Sequence, residues 1–177
     1  MQPGELIASD RGARHPAPGD LPHAWAVLSE VMDPEVPVVS VVELGIVRDV
    51  GWHEGHLQVV VTPTYSGCPA TELIEDDIRS ALETAGFRAP LLKRQLTPAW
   101  TTDWISDSGR ERLQAYGIAP PAHSTSKRSL LGETPAITCP QCGSAHTELL
   151  SQFGSTACKA LYRCCDCREP FDYFKCI

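Results

Sequence analysis

Cys139-Pro140-Gln141-Cys142 and, after 21 intervening residues, Cys164-Cys165-Asp166-Cys167 decide the reading of the back of this chain. A two-residue gap turns both sulfurs of a pair to one side, so two such pairs can wrap the halves of a tetrahedral ion. Gly143 follows the first pair, where a tight knuckle needs an unhindered backbone. The gap is one residue longer than is common in such ribbons, a small extension for a hairpin loop. Between and after the pairs, Thr147 to Phe153, Ala160 to Arg163 and Phe171 to Phe174 read as β-arms. A segment this short buries too little apolar surface to fold unaided, so a metal must order it.

Zinc suits four thiolates in a closed site, so the predicted ligands are Cys139, Cys142, Cys164 and Cys167. Four thiolates also suit an iron–sulfur cluster, and thiols without metal are the plain alternative. Cys158, Cys165 and Cys176 are spare. Cys165 can replace a neighbour in the second knuckle, and His146 is a weaker substitute.

Ahead of the ribbon lies a different pattern. Leu21 to Met32 carries apolar residues at helical spacing, with Asp20 placed to cap it and Pro34 beyond its end. Ser40 can cap a short turn that Gly45 ends. Ile46 to Trp52 and His56 to Thr62 read as a hairpin about His53-Glu54-Gly55. Cys68-Pro69 opens a second helix that Gly86 ends, Leu91 to Leu96 reads as a strand, and Ser108 to Tyr116 as a last helix closed by Gly117. The fold class is α+β: a compact α/β front domain of order α-β-β-α-β-α, joined by a linker to a small β zinc ribbon. Boundaries fall at a flexible tail, 1–20, the α/β domain, 21–118, a Pro- and Ser-rich linker, 119–136, and the ribbon, 137–177.

The 177 residues have a formal net charge of −7. Residues 1–118 hold −8 of it and residues 119–177 are +1. Neither part has the basic face that neutralises phosphates, so nucleic acid is not the expected partner. A basic protein surface suits the front domain better. No stretch approaches the roughly 20 apolar residues of a membrane span, and the expectation is a cytosolic protein with reduced thiols.

One cysteine stands apart from the ribbon. Cys68 sits in Thr62-Pro63-Thr64-Tyr65-Ser66-Gly67-Cys68-Pro69, leading from a strand into a helix. The amides of a helix start favour a thiolate there, and the same position can hold an anion, ligate a metal or bury a small apolar side chain. By spacing alone, Asp33, Glu35 and Glu43 read as helix-end and surface charges. His53 and His56 read as exposed hairpin residues, and Trp25 and Trp52 as core. No Ser/His/Asp triad, phosphate loop or dinucleotide fingerprint is present.

Asp33-Pro34-Glu35-Val36-Pro37-Val38-Val39-Ser40, Glu43-Leu44-Gly45-Ile46-Val47 and the Thr62-to-Pro69 stretch resemble the metal–sulfur cluster biosynthesis family. Together with Phe153-Gly154-Ser155-Thr156-Ala157-Cys158-Lys159 and Glu169-Pro170-Phe171, the ribbon resembles that of the PaaD (PaaJ) family, accessory proteins of the ring 1,2-phenylacetyl-CoA epoxidase. The resemblance implies a non-catalytic role in maturing or inserting an iron–sulfur cluster in aerobic phenylacetate degradation. It implies epoxidase components as partners, above all the [2Fe–2S] reductase. It implies Cys68 and Asp33 as functional residues, transient iron or an iron–sulfur cluster beside structural Zn2+, and further ligands among Cys158, Cys165 and Cys176. The rival readings are a thiol-dependent enzyme using Cys68 and a zinc-ribbon binding subunit of the oxygenase.

Overall fold

The computed structural model describes residues 20–65, 67–121 and 136–175. Most of the tail expected at 1–20, most of the linker expected at 119–136, and Cys176 lie outside the described residues.

The first helix, α1, runs from Leu21 to Ser29 and buries Ala24 and Leu28. Asp20 occupies its N-cap without a side-chain cap hydrogen bond, and the helix stops short of the expected Met32. The reason is local: Met32 bridges to Ser40, and the Val41 N–H donates to the Val31 carbonyl, so the chain is already turning back. Ser40 does cap the next turn. The Glu43 N–H donates to Ser40 Oγ at 3.1 Å while the Ser40 N–H donates to Glu43 Oε2 at 3.0 Å, a reciprocal capping box.

Strands β1 (Val47–His53) and β2 (His56–Val61) pair antiparallel. Glu54 and Gly55 both take positive φ at the tip, as a tight hairpin turn requires. Helix α2 (Thr71–Thr84) then crosses over, and β3 (Leu91–Arg94) pairs parallel with β2. Helix α2 buries Ile74, Ile78 and Leu82, which sit one helical turn apart along its inner face. Helix α3 (Asp107–Tyr116) follows, capped by Ser106 and ended by Gly117 at φ +95°.

The ribbon sheet takes in a strand that follows directly on the front domain. Strand β4 (Ile118–Ala119) leaves α3 and pairs parallel with β7 (Pro170–Phe174). The second sheet runs β4-β7-β6-β5, with β5 at Thr147–Ser151 and β6 at Lys159–Cys164. Ala119, expected at the head of the linker, is therefore part of the ribbon sheet. Buried Arg110 holds this exit by donating to the carbonyls of Thr102 and Pro121.

The front core gathers α1, α2, β1 and β2 about Leu28, Leu57, Val59, Ile78 and Leu82, and it also includes Cys158 and Phe174 of the ribbon. Phe174 lies 6.1 Å from the Trp100 ring, whose indole N–H donates to the Leu44 carbonyl at 2.9 Å. A second, smaller core holds Ala119, Cys139, Ala160, Cys164, Phe171 and Tyr173. Among the described residues no helix is long and apolar enough to cross a membrane.

Candidate functional site: a four-cysteine cluster and a thiol-lined cavity

The two Cys-x-x-Cys turns meet at one end of the ribbon. The sulfurs of Cys139, Cys142, Cys164 and Cys167 all lie within 4.8 Å of one another. Cys139 and Cys167 are 3.7 Å apart, and Cys142 and Cys164 are 3.5 Å apart. Four bonds of about 2.3 Å around a tetrahedral zinc require sulfurs about 3.8 Å apart, so the cluster fits that ion.

The backbone makes this geometry. The Gly143 N–H donates to the Cys139 carbonyl at 2.9 Å, with Gly143 itself at φ +75°, and the Cys139 N–H donates to the Ser144 carbonyl. In the second turn the Cys167 N–H points at Cys164 Sγ from 3.5 Å. That N–H is the main reason the Cys164 thiol drops to about 6. Cys167 receives the Glu169 N–H, which pulls it down, yet desolvation and the neighbouring thiols push it up to about 12. The rise at Cys167 reflects that closely set acids cannot all ionise without a cation among them.

Cys165 and His146 stay outside the cluster. The Cys165 N–H donates to the His146 carbonyl at 2.8 Å, and the His146 ring faces Asp166 at 3.2 Å. Among the described residues no other group of three or more His, Cys, Asp or Glu side chains draws its ligand atoms together in this way.

The second feature is a cavity between the front domain and the ribbon. Asp33, Glu35, Thr64 and Cys68 line it from one side, and Cys158 and Phe174 from the other. Asp33 is buried, with 6% of its surface exposed, and its Oδ1 accepts the N–H groups of Glu35 and Val36 at 2.8 Å each. The two prolines around it shape this turn, Asp33 closing it in place of a helical bond. Burial holds the Asp33 carboxyl above its usual range, against the pull of the Val36 and Glu35 N–H groups and of Lys159.

Cys68 lies in the turn before α2. Its carbonyl accepts the Thr71 N–H at 3.2 Å, so α2 begins at Thr71 and Pro69 precedes the helix rather than occupying its first turn.

The spacing of Asp33 and Glu35 suggests surface charges, but both face this cavity. Burial, then the Asp33 charge, lift the Glu35 carboxyl. Its Oε2 is 4.0 Å from Cys158 Sγ, which also contacts Thr156 Oγ1 at 3.0 Å. The Cys158 thiol is pushed up by burial, with Thr156 opposing. Next to it Lys159 is buried, its ammonium 3.7 Å from Asp172 Oδ2. Ser155 Oγ also donates to Asp172, at 2.9 Å, and a Cβ on Gly154 would lie 2.7 Å from Asp172 Oδ1. The run from Gly154 to Lys159 is thus folded tightly around Asp172, and it delivers Cys158 and Lys159 to the front domain. Glu43, by contrast, is the helix-end charge its spacing suggests.

Residues 23–86 match the family described as iron-sulfur cluster assembly protein, and residues 123–175 the PaaD zinc beta ribbon domain. A putative 1,2-phenylacetyl-CoA epoxidase component of Escherichia coli (strain K12), named there as one of the enzyme's subunits, is 53% identical over 166 residues, covering 91% of this chain and 96% of that protein. An Fe-S protein maturation auxiliary factor of Porphyromonas gingivalis is 34% identical over 90 residues, covering 49% of this chain and 84% of that protein. A solved structure, the domain of unknown function DUF59 from Bacillus anthracis, shares 28% identity with a TM-score of 0.48, covering 52% of this chain and 89% of that one. With an iron–sulfur assembly domain in front and a zinc ribbon behind, and with such a relative matched nearly end to end, the chain belongs to the PaaD family.

Proposed function

We propose that this chain helps mature or insert the iron–sulfur cluster of phenylacetyl-CoA epoxidase in the cytoplasm, with the [2Fe–2S] reductase as client, and has no catalysis of its own. The observation that carries the reading is a thiol, Cys68, and a buried carboxyl, Asp33, lining one cavity. The relatives named as Fe-S maturation auxiliary factors and as a component of the epoxidase support the class of task and the link to that enzyme. In this reading Cys68 engages the cluster or its iron as cargo, and Asp33 holds the turn that shapes the cavity wall.

In the ribbon we assign Cys139, Cys142, Cys164 and Cys167 as the ligands of a structural zinc. Once bound, zinc supplies a closed tetrahedral cross-link with no open position for chemistry. The chain's own part is to present four sulfurs from two turns and to brace them through β5, β6 and β7.

The test is to replace Cys68 by Ser in cells making the whole epoxidase and to measure cluster occupancy of the purified reductase. We expect a drop of about fivefold or more, roughly 1 kcal/mol in partition between loaded and empty client. Normal occupancy would refute the reading. A thiol enzyme is less well supported, since among the described residues no histidine lines the cavity to serve as base. A stable place in the epoxidase complex is the second reading, favoured by the name of the Escherichia coli relative. Stoichiometric co-purification with the complete epoxidase would decide for it.

A further inference from the structure

We propose that Cys68, Cys158 and Glu35 form a second metal site, spanning the contact between front domain and ribbon, that takes one divalent transition-metal ion of the iron class. The use of such an ion in cluster assembly rests on the function proposed above; the chemistry of the site rests on the residues themselves.

Cys158 is a ribbon thiol that the four-cysteine cluster leaves out. It is buried, 5% exposed, in the front domain's core, and it faces Glu35 across 4.0 Å. Cys68 enters the same cavity from the turn before α2. The phenol of Tyr65 registers all three groups at once. Burial raises it first, and then the charges of Cys68, Glu35 and Cys158 each make its ionisation harder.

Two sulfurs and a carboxylate are the donor set of a borderline-soft divalent ion rather than of magnesium or calcium. Size is compatible: the cavity has room for a body of about one water's size, enough for a single ion. Charge also agrees. Asp33, Glu35 and Cys158 all hold their protons unusually firmly, chiefly through burial. Lys159, held by Asp172, supplies only one positive charge against them. A divalent ion would displace to solvent the thiol protons of Cys68 and Cys158 and any proton on the Glu35 carboxyl, its two charges offsetting the two thiolates.

The donors are not drawn to bonding distance as they stand, since among the described residues only the four knuckle sulfurs converge within 4.8 Å. Glu35 and Cys68 are both partly exposed, which leaves their side chains room to rotate within the cavity.

Full-length protein loaded with zinc is titrated with cobalt(II) under argon, with zinc content followed in the same samples. We expect one further equivalent of cobalt with retained zinc, and a near-ultraviolet sulfur-to-cobalt band. C158S and C68S should each halve that band and weaken cobalt binding by about tenfold or more. E35Q should weaken binding with the band unchanged. No second equivalent, cobalt that merely replaces zinc, or a band untouched in C158S would each overturn the site. If C158S fails to hold zinc, C68S decides, with about half the band expected and an unchanged band overturning the proposal. Loss of client maturation in C68S without any cobalt binding would remove this site and leave the proposed function. Cobalt bound by both thiols, with maturation intact in C68S, would do the reverse.

Discussion

At Gly45 the chain turns with φ +68°, and an added Cβ would lie 2.6 Å from the Trp104 carbonyl oxygen. Both the backbone and the neighbour exclude a side chain, and the neighbour is main chain, which cannot swing away. Gly45→Ala should therefore cost about 2 kcal/mol or more, read as a lowered urea midpoint at constant slope. The glycine was legible as a turn residue, and the four knuckle cysteines as two pairs able to converge, because both patterns are local. Glu35 and Cys158 were not legible in the same sense. They stand 123 positions apart, and each looks ordinary among its own neighbours. Only the packing of the ribbon on the front domain gives them a common cavity.

Among the elements, the turn from Ser40 to Gly45 is short enough to depend on its cap. Glu43 accepts the Ser40 N–H, the Ser108 hydroxyl at 3.0 Å and Arg112 Nε at 3.2 Å. Arg112 is largely exposed, so its ion pair adds little, and the cap is the stronger contribution. Glu43→Ala should destabilise by about 1 to 2 kcal/mol, and Glu43→Gln by clearly less, in thermal or denaturant unfolding. The ribbon strands depend on a different support. Chelation of zinc, or Cys139→Ser, should strip amide-exchange protection from β5 and β6 while β1 and β2 keep theirs. Equal loss in both sheets, or loss in neither, would contradict a metal-held ribbon on a self-supporting front domain. The hairpin, the crossover helix and the ribbon arms followed from apolar alternation and from Gly and Pro positions. The early end of α1 did not, because the Met32–Ser40 bridge overrides a helical pattern that continues to Met32.

On the scale of the whole molecule, the two parts share side chains. Phe174 is 1% exposed and packs on Trp100, so the last strand of the ribbon fills the front core. Phe174→Ala should lower stability by about 3 to 5 kcal/mol, measured by denaturant unfolding, while zinc stoichiometry stays at one per chain. If zinc were lost with the ring, the knuckles would be less independent of the core than their local turns indicate. The linker composition gave no sign of this joint, which is made at the linker's head, between Ile118–Ala119 and Asp172–Tyr173.

That pairing bears on any chimera made from this protein. A transplant cut at residue 123, where the recognised ribbon sequence begins, would leave behind the strand that borders β7. The graft would arrive with a raw flank of unpaired amides and carbonyls, prone to self-association. Carrying Ile118 and Ala119 along, or choosing a host that offers an equivalent two-residue border, is the condition for a well-behaved hybrid.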